Sequence, residues 1–261
     1  MESRAVNSVV VGVSAVLAAM LLSAAGVVVV RRYADVEWLE GHHQIAGYFV
    51  AIIGTLYAVL LAFAVFAVWN DFKEASSNLE QEANRIGDLS RMAKGLSEPL
   101  RENVRTALAA YVRSVVEDEF PAMAEGRDSP RTWQAASNLW NVYRSGAPGD
   151  DKSRFYYEES VKRLVEMGDY RRQRLLASHG TVPGILWYLL CTGAVLLVGL
   201  TYFFALPSIR SQVVMTAALG GFLAFTLLLI AALNGPFDGA VRVHADPVKI
   251  ELSHLSAAQS E

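Results

Sequence analysis

The stretch from Ile45 to Leu96 constrains everything else in this chain. Its first half, Gly47 to Trp69, holds no charged residue and is longer than the ~20 apolar residues that cross a bilayer. Its second half, Asn70 to Leu96, keeps a helical period but turns polar, bringing in Asp71, Lys73, Glu74, Glu80 and Glu82. Read as one helix rising about 1.5 Å per residue, the stretch is on the order of 75 Å long. It crosses a membrane and stands well out of it.

Three further apolar blocks accompany it: Val6 to Val30, Pro183 to Leu206 and Val213 to Leu233. The first has Arg4 before it and Ser23-Ala24-Ala25 within it, as a cleavable leader would. Its apolar run nevertheless continues to Val30, which favours a retained span. The predicted fold is an all-α membrane protein, with four transmembrane helices and a helical cytoplasmic module between the second and third. Residues 1–69 form the first transmembrane pair, 70–182 the module, 183–234 the second pair and 235–261 a cytoplasmic tail. With 53% hydrophobic residues in blocks, the composition agrees.

Within the module, Ser97 and Pro99 mark a helix stop and restart. A helix from Leu100 to Glu119 carries the stripe Leu100, Val104, Leu108, Tyr111 and Val115, and its acidic end Glu117-Asp118-Glu119 reads as solvated. Ser129 and Pro130 are N-cap and first residue of the next helix, which carries Trp133, Leu139, Trp140 and Tyr143. Ser145 to Ser153 reads as a loop, and a charged helix runs from about Arg154 to Leu176. Basic residues crowd the side that holds the module and both termini: Arg4, Lys73, Arg85, Arg163, Arg171, Arg172, Arg174, Arg242 and Lys249. Only Arg31, Arg32 and Arg210 oppose them. The positive-inside rule then puts both termini in the cytoplasm of a cell-membrane protein.

Several chemistries are excluded. The net charge of -3 comes with no basic stripe for nucleic acid. The lone cysteine, Cys191, allows no intrachain disulfide and no paired-cysteine metal site. No phosphate-binding glycine loop, nucleophile elbow or zinc-protease helix occurs, so neither a cofactor nor an enzyme is expected. The spans hold no ionisable acid, base or histidine, against a proton relay or charge-coupled transport. The polar stretch Arg31 to Gln44, with Asp35, Glu37, Glu40, His42 and His43, reads as an interfacial loop, with a divalent-metal site as the sharper alternative.

Three sets of residues stand out. Along the second span, Gly47, Ala51, Gly54, Ala58 and Ala62 form a face of small residues, suited to close helix packing in lipid. A second possibility is that part of this face, with Tyr57 and Leu61 at its margin, lines a narrow apolar pore, because hydrophobic constrictions gate conduction by dewetting. Beyond the span, Phe72, Ala75, Leu79, Glu82, Ile86, Leu89, Ala93 and Leu96 step by three and four, a heptad seam that wants a partner helix. Glu82 is the polar member of that seam, setting register or marking a seam rotated toward Ala83. Arg171, Arg172 and Arg174 can hold lipid head groups or serve only as a topology signal.

Several local patterns together carry a resemblance: Gly54-Thr55-Leu56-Tyr57, Trp69-Asn70-Asp71-Phe72, Glu82-Ala83-Asn84, Asp118-Glu119-Phe120-Pro121, Arg171-Arg172-x-Arg174-Leu175, and Pro236-Phe237-x-Gly239. From about Gly47 to Pro247 the chain resembles the bestrophin-like domain family, mostly bacterial membrane proteins. The resemblance implies four spans, a bacterial inner-membrane location and a relation to bestrophin anion channels, calcium-gated pentamers whose second span lines the neck; carried over to this chain, it makes Gly54, Tyr57, Ala58, Leu61 and Val65 the pore candidates. The calcium clasp transfers poorly: Asn234-Gly235-Pro236-Phe237-Asp238-Gly239 leads to Ala240-Val241-Arg242, leaving only Asp238 and Asp246. Two functions follow as expectations. One is an oligomeric ion channel, for anions, with an apolar constriction in the second span and small inorganic ions as its partners. The other is a non-conducting scaffold or sensor that binds itself or a partner through the cytoplasmic seam. In both, the chain is a homo-oligomer in a lipid bilayer.

Overall fold

A computed structural model describes residues 2–33, 36–178, 180, 182–204, 206, 208–238 and 241–257, with side chains left undescribed at 2–8 and 36–44. Its helices are α1 (Glu2–Tyr33), α2 (Val36–Ala93), α3 (Leu100–Ser114), a π-helical turn (Val115–Glu119), α4 (Phe120–Met123), α5 (Pro130–Ser145), α6 (Asp151–Ala177), α7 (Gly184–Thr201), α8 (Ile209–Asn234) and α9 (Asp246–Ala257). There is no strand among the described residues. Four of these helices, α1, α2, α7 and α8, are long and apolar enough to cross a membrane. The all-α, four-span architecture expected from the sequence is the one observed.

The polar stretch read as a loop between the first two spans is largely helical, since α1 ends at Tyr33 and α2 begins at Val36. Charged residues interrupt apolarity there without supplying a helix breaker. The divalent site considered at Asp35, Glu37, Glu40, His42 and His43 rests on side chains outside the described residues.

The chain folds as two compact units. The first takes residues 1–70 and 181–234, the second residues 71–180 and 235–261. In the first unit, α1 packs along α8 at small residues: a Cβ on Gly220 would strike Ser23, and one on Gly221 would strike the Met20 side chain. Close approach of backbones is what holds helices together in lipid, where apolar burial supplies no drive. On α2, Tyr57, Leu61, Ala64 and Val68 are buried at helical spacing. The Tyr57 ring lies over Gly193 of α7, and its hydroxyl donates to the carbonyl of Leu190 at 2.7 Å. Asn234, at the end of α8, accepts through Oδ1 from the Val182 N–H at 2.9 Å just before α7.

In the second unit the core is continuous. The α2 residues Ala75, Leu79, Ile86, Leu89 and Ala93 meet Val104, Leu108 and Tyr111 of α3, Leu139 and Tyr143 of α5, and Leu164 and Met167 of α6. The α5 N-terminus is as expected, Ser129 accepting from the Thr132 N–H with Pro130 as the first helical residue. Asp150 does the same for α6 at Ser153, so that helix starts a few residues earlier than the charge pattern suggested. Part of the stretch after α8 joins this core. Phe237 meets the Phe120 ring edge-on at 5.9 Å, and Val248 and Leu255 of α9 are buried in the same core.

Two glycine substitutions separate packing from propensity. Gly193→Val forces a branched side chain into the Tyr57 ring and lowers stability by about 1–3 kcal/mol, the usual cost of overpacking. Gly168→Ala, in the middle of α6 with only the tip of Arg172 within 3.9 Å, raises it by about 0.5–1 kcal/mol. Thermal unfolding of the detergent-purified protein checks both.

Candidate functional site

The membrane half of α2 divides into two faces. Of the pore candidates, Tyr57 and Leu61 are buried against the chain's own helices, Gly54 and Val65 are half-buried, and Ala58 is exposed. Gly54 faces Leu197 of α7, whose methyl would lie 3.6 Å from an added Cβ. Four of the five residues therefore serve packing within the chain, wholly or in part. The open face carries Ile52, Leu56, Val59, Phe63 and Phe66, all large, all uncharged and each at least half exposed.

The heptad seam lies in the second unit, with Leu79, Glu82, Ile86 and Leu89 almost wholly enclosed. Its partner helices belong to the same chain, in place of the second copy or partner protein that the heptad pattern invited. Glu82 stands on the seam itself, and its charge is met from within. The Arg174 guanidinium of α6 reaches it through Nε at 2.6 Å and Nη2 at 3.1 Å. The Tyr111 hydroxyl of α3 donates to Glu82 Oε1 at 2.6 Å.

Arg174 also donates through Nη2 to Glu119 Oε2 at 2.6 Å, and Arg171 takes the other oxygen of Glu119 at 2.5 Å. Glu82, Glu119 and Arg174 are 0% exposed and Arg171 only 4%. Two carboxylates and two guanidiniums thus balance in the interior. The remaining faces are also occupied. Arg174 Nη1 points at Met123 Sδ at 2.9 Å, its Cζ lies 5.4 Å from the centroid of the Phe120 ring, and the Arg171 Cζ lies over the Trp133 ring at 4.3 Å from its centroid. Burial works to raise the Glu119 carboxyl pKa, and the Arg174 and Arg171 guanidiniums overcome it, leaving the group below its ordinary value of 4.5. Burial beside Glu82 pushes the Tyr111 hydroxyl well above 10.0.

These positions revise two sequence readings. Arg171 and Arg174 spend their charge inside the protein, not on lipid head groups; Arg172 alone stays exposed, paired with Asp169. Glu119 is a core residue and not the solvated end of a helix. Its signal was present: Tyr111, Val115, Glu119 and Met123 follow one another at steps of four, continuing the apolar stripe. Such steps drift by about 40° each in an unbroken α-helix. The π turn at Val115–Glu119 holds more residues per turn and takes up part of that drift.

With this geometry in place, comparison with known proteins is informative. The bestrophin-like domain model matches residues 17–248, and the chain belongs to that family. Solved structures agree in fold. A bacterial bestrophin homologue from Klebsiella pneumoniae, in one single-residue variant, superposes with a TM-score of 0.71 at 15% identity, covering 95% of this chain and 99% of that one. A second variant of the homologue gives 0.65 at 16% identity, covering 94% and 99%. No curated protein matches the sequence. The chain is accordingly a multi-pass membrane protein of bestrophin fold.

Removing Arg174 leaves Glu82 with the Tyr111 hydroxyl and Glu119 with Arg171, two buried carboxylates facing one cation. Arg174→Met costs about 3–5 kcal/mol, the range for breaking one partner out of a buried ion pair, whereas Arg172→Met changes stability by less than about 0.5 kcal/mol. Denaturant unfolding in detergent distinguishes them. The depressed Glu119 pKa gives the sign of the pH effect. Its contribution is complete above about 4.5, the ordinary value, and is lost as pH falls toward the folded value. Thermal midpoints measured from pH 6 to about pH 3 should therefore fall on acidification, and less steeply in Glu119→Gln.

Proposed function

We propose that the protein is a homo-oligomeric anion channel of the cell membrane, with the open face of α2 lining an apolar constriction. One observation carries this reading: in a bestrophin-like chain, the second span presents Ile52, Leu56, Val59, Phe63 and Phe66 to its surroundings, uncharged and uncovered by its own subunit. A ring of such strips makes a pore that dewets. The adjacent strip Ala51, Thr55, Ala58 and Ala62 is small and exposed, the composition that lets neighbouring helices approach closely. In this arrangement Ala58 sits where subunits meet, while Gly54, Tyr57, Leu61 and Val65 hold α2 to its own subunit. The basic bias of the module and termini supports a cytoplasmic location for them.

The alternative, a non-conducting scaffold assembled through the seam, has less support, because Leu79, Glu82, Ile86 and Leu89 are already enclosed. Chloride flux into liposomes holding a crosslink-verified oligomer tests the proposal. Wild-type protein passes chloride, and Leu56→Ser and Phe63→Ser each raise the flux several-fold by wetting the constriction. An intact oligomer that passes no halide, in wild-type form and in both variants, overturns it.

A further inference from the structure

A cavity of about 310 Å³ lies in the first unit where α7 ends and α8 begins. Phe204, Leu206, Met215 and Leu219 make most of its wall, and Thr201 and Gln212 add a few polar atoms. Met215 is 65% exposed, so the wall includes a residue facing the surroundings. Gln212 holds the wall together by donating through Nε2 to the Thr201 carbonyl at 3.4 Å. The volume is at the lower end of ligand cavities, ~300–1,000 Å³, and takes part of one extended hydrocarbon chain.

Beside it stands a cation. Arg31, in the last turn of α1, is half-buried, and no carboxylate pairs with it among the described residues. Its Nη2 donates to the Leu206 carbonyl, and its Nε is buried with no acceptor. Leu206 joins the two features, giving its carbonyl to Arg31 and its side chain to the cavity. Both lie at the ends of helices long and apolar enough to cross a membrane, which is where such helices meet the lipid head groups.

We propose that this is a site for an anionic phospholipid, its phosphate on the Arg31 guanidinium and one acyl chain in the cavity. An acyl chain gains little by moving from bilayer to an equally apolar pocket, so selection falls on the head group, where a phosphate completes charge-assisted hydrogen bonds to the arginine and, with no ammonium of its own as in phosphatidylcholine, leaves a net anion to balance the guanidinium. The cavity then fixes where the chain runs. The site is independent of conduction, and its test does not read current.

Native mass spectrometry of the full-length protein in detergent, titrated with phosphatidylglycerol, phosphatidylcholine or a free fatty acid of matched chain length, supplies the test. Phosphatidylglycerol remains bound at concentrations where phosphatidylcholine does not. Arg31→Gln weakens it at least tenfold and Arg31→Lys weakens it less. Leu219→Trp, which fills the cavity and leaves the arginine alone, also weakens it without changing the oligomer, and stands as the test if Arg31→Gln does not fold. Equal retention of the two phospholipids overturns the proposal, as does wild-type retention in Leu219→Trp or in a folded Arg31→Gln. Retention of the fatty acid but not phosphatidylglycerol overturns the phospholipid assignment. A Leu219→Trp protein that loses its oligomeric state gives the cavity to a neighbouring copy and overturns it too.

Discussion

Arg174 is a guanidinium with no access to water, and the helical unit is built around the need to satisfy it. Burying such a charge costs several kcal/mol unless its hydrogen bonds are met and its charge is balanced. Glu82 on α2 and Glu119 on the π turn supply the balance, while Tyr111, Arg171, Met123 and Phe120 close the remaining sides. An apolar core tolerates small slips of one helix along another, because any hydrocarbon contact replaces any other. A bidentate ion pair does not. The network therefore selects one register of α2, α3 and α6 from the many that the heptad stripe would allow. That is specificity more than stability, since a well-packed apolar replacement can hold a fold equally well.

A different rule governs the membrane unit. There, neither apolar burial nor charge is available, and close approach of backbones does the work. Gly193 admits the Tyr57 ring, and Gly220 and Gly221 admit α1. Tyr57 adds one hydrogen bond to a helix carbonyl, at a site where water cannot compete. What these contacts leave over is as informative as what they consume. They use the Tyr57–Leu61–Ala64–Val68 side of α2 and leave the Ile52–Leu56–Phe63 side uncovered, which is why the pore reading moves from the first set to the second.

How much of this was legible follows from the range of each interaction. The four spans are local: lipid demands an unbroken apolar run, and the runs stand in the sequence. So are the Ser129 cap and the seam at spacing three and four. The π turn was less legible, since its only trace is a stripe that keeps stepping by four. The pairing of Glu82 with Arg174 bridges 92 positions, and nothing near either residue names the other; a buried-seam acid and a pair of arginines three apart on another helix were the only hints. The helix α9 was missed because its apolar residues Val248, Ile250, Leu252 and Leu255 alternate with Lys249, Glu251 and His254 in a short stretch, and the burial of Val248 and Leu255 is decided by the core they join. Whether a face of α2 looks toward its own chain or away from it is likewise a matter of packing, invisible to helical projection.

The central functional claim, that the open face of α2 meets water in a conducting pore, is tested most directly by cysteine accessibility. In a Cys191→Ser background, cysteines placed at Leu56, Phe63 and Ala64 are exposed to a charged, membrane-impermeant thiol reagent while current is recorded. Water along the open face predicts modification and a change of current at positions 56 and 63, and none at 64, which is buried in its own subunit. Unreactive cysteines at 56 and 63 in a channel that conducts would place the pore elsewhere and contradict the account.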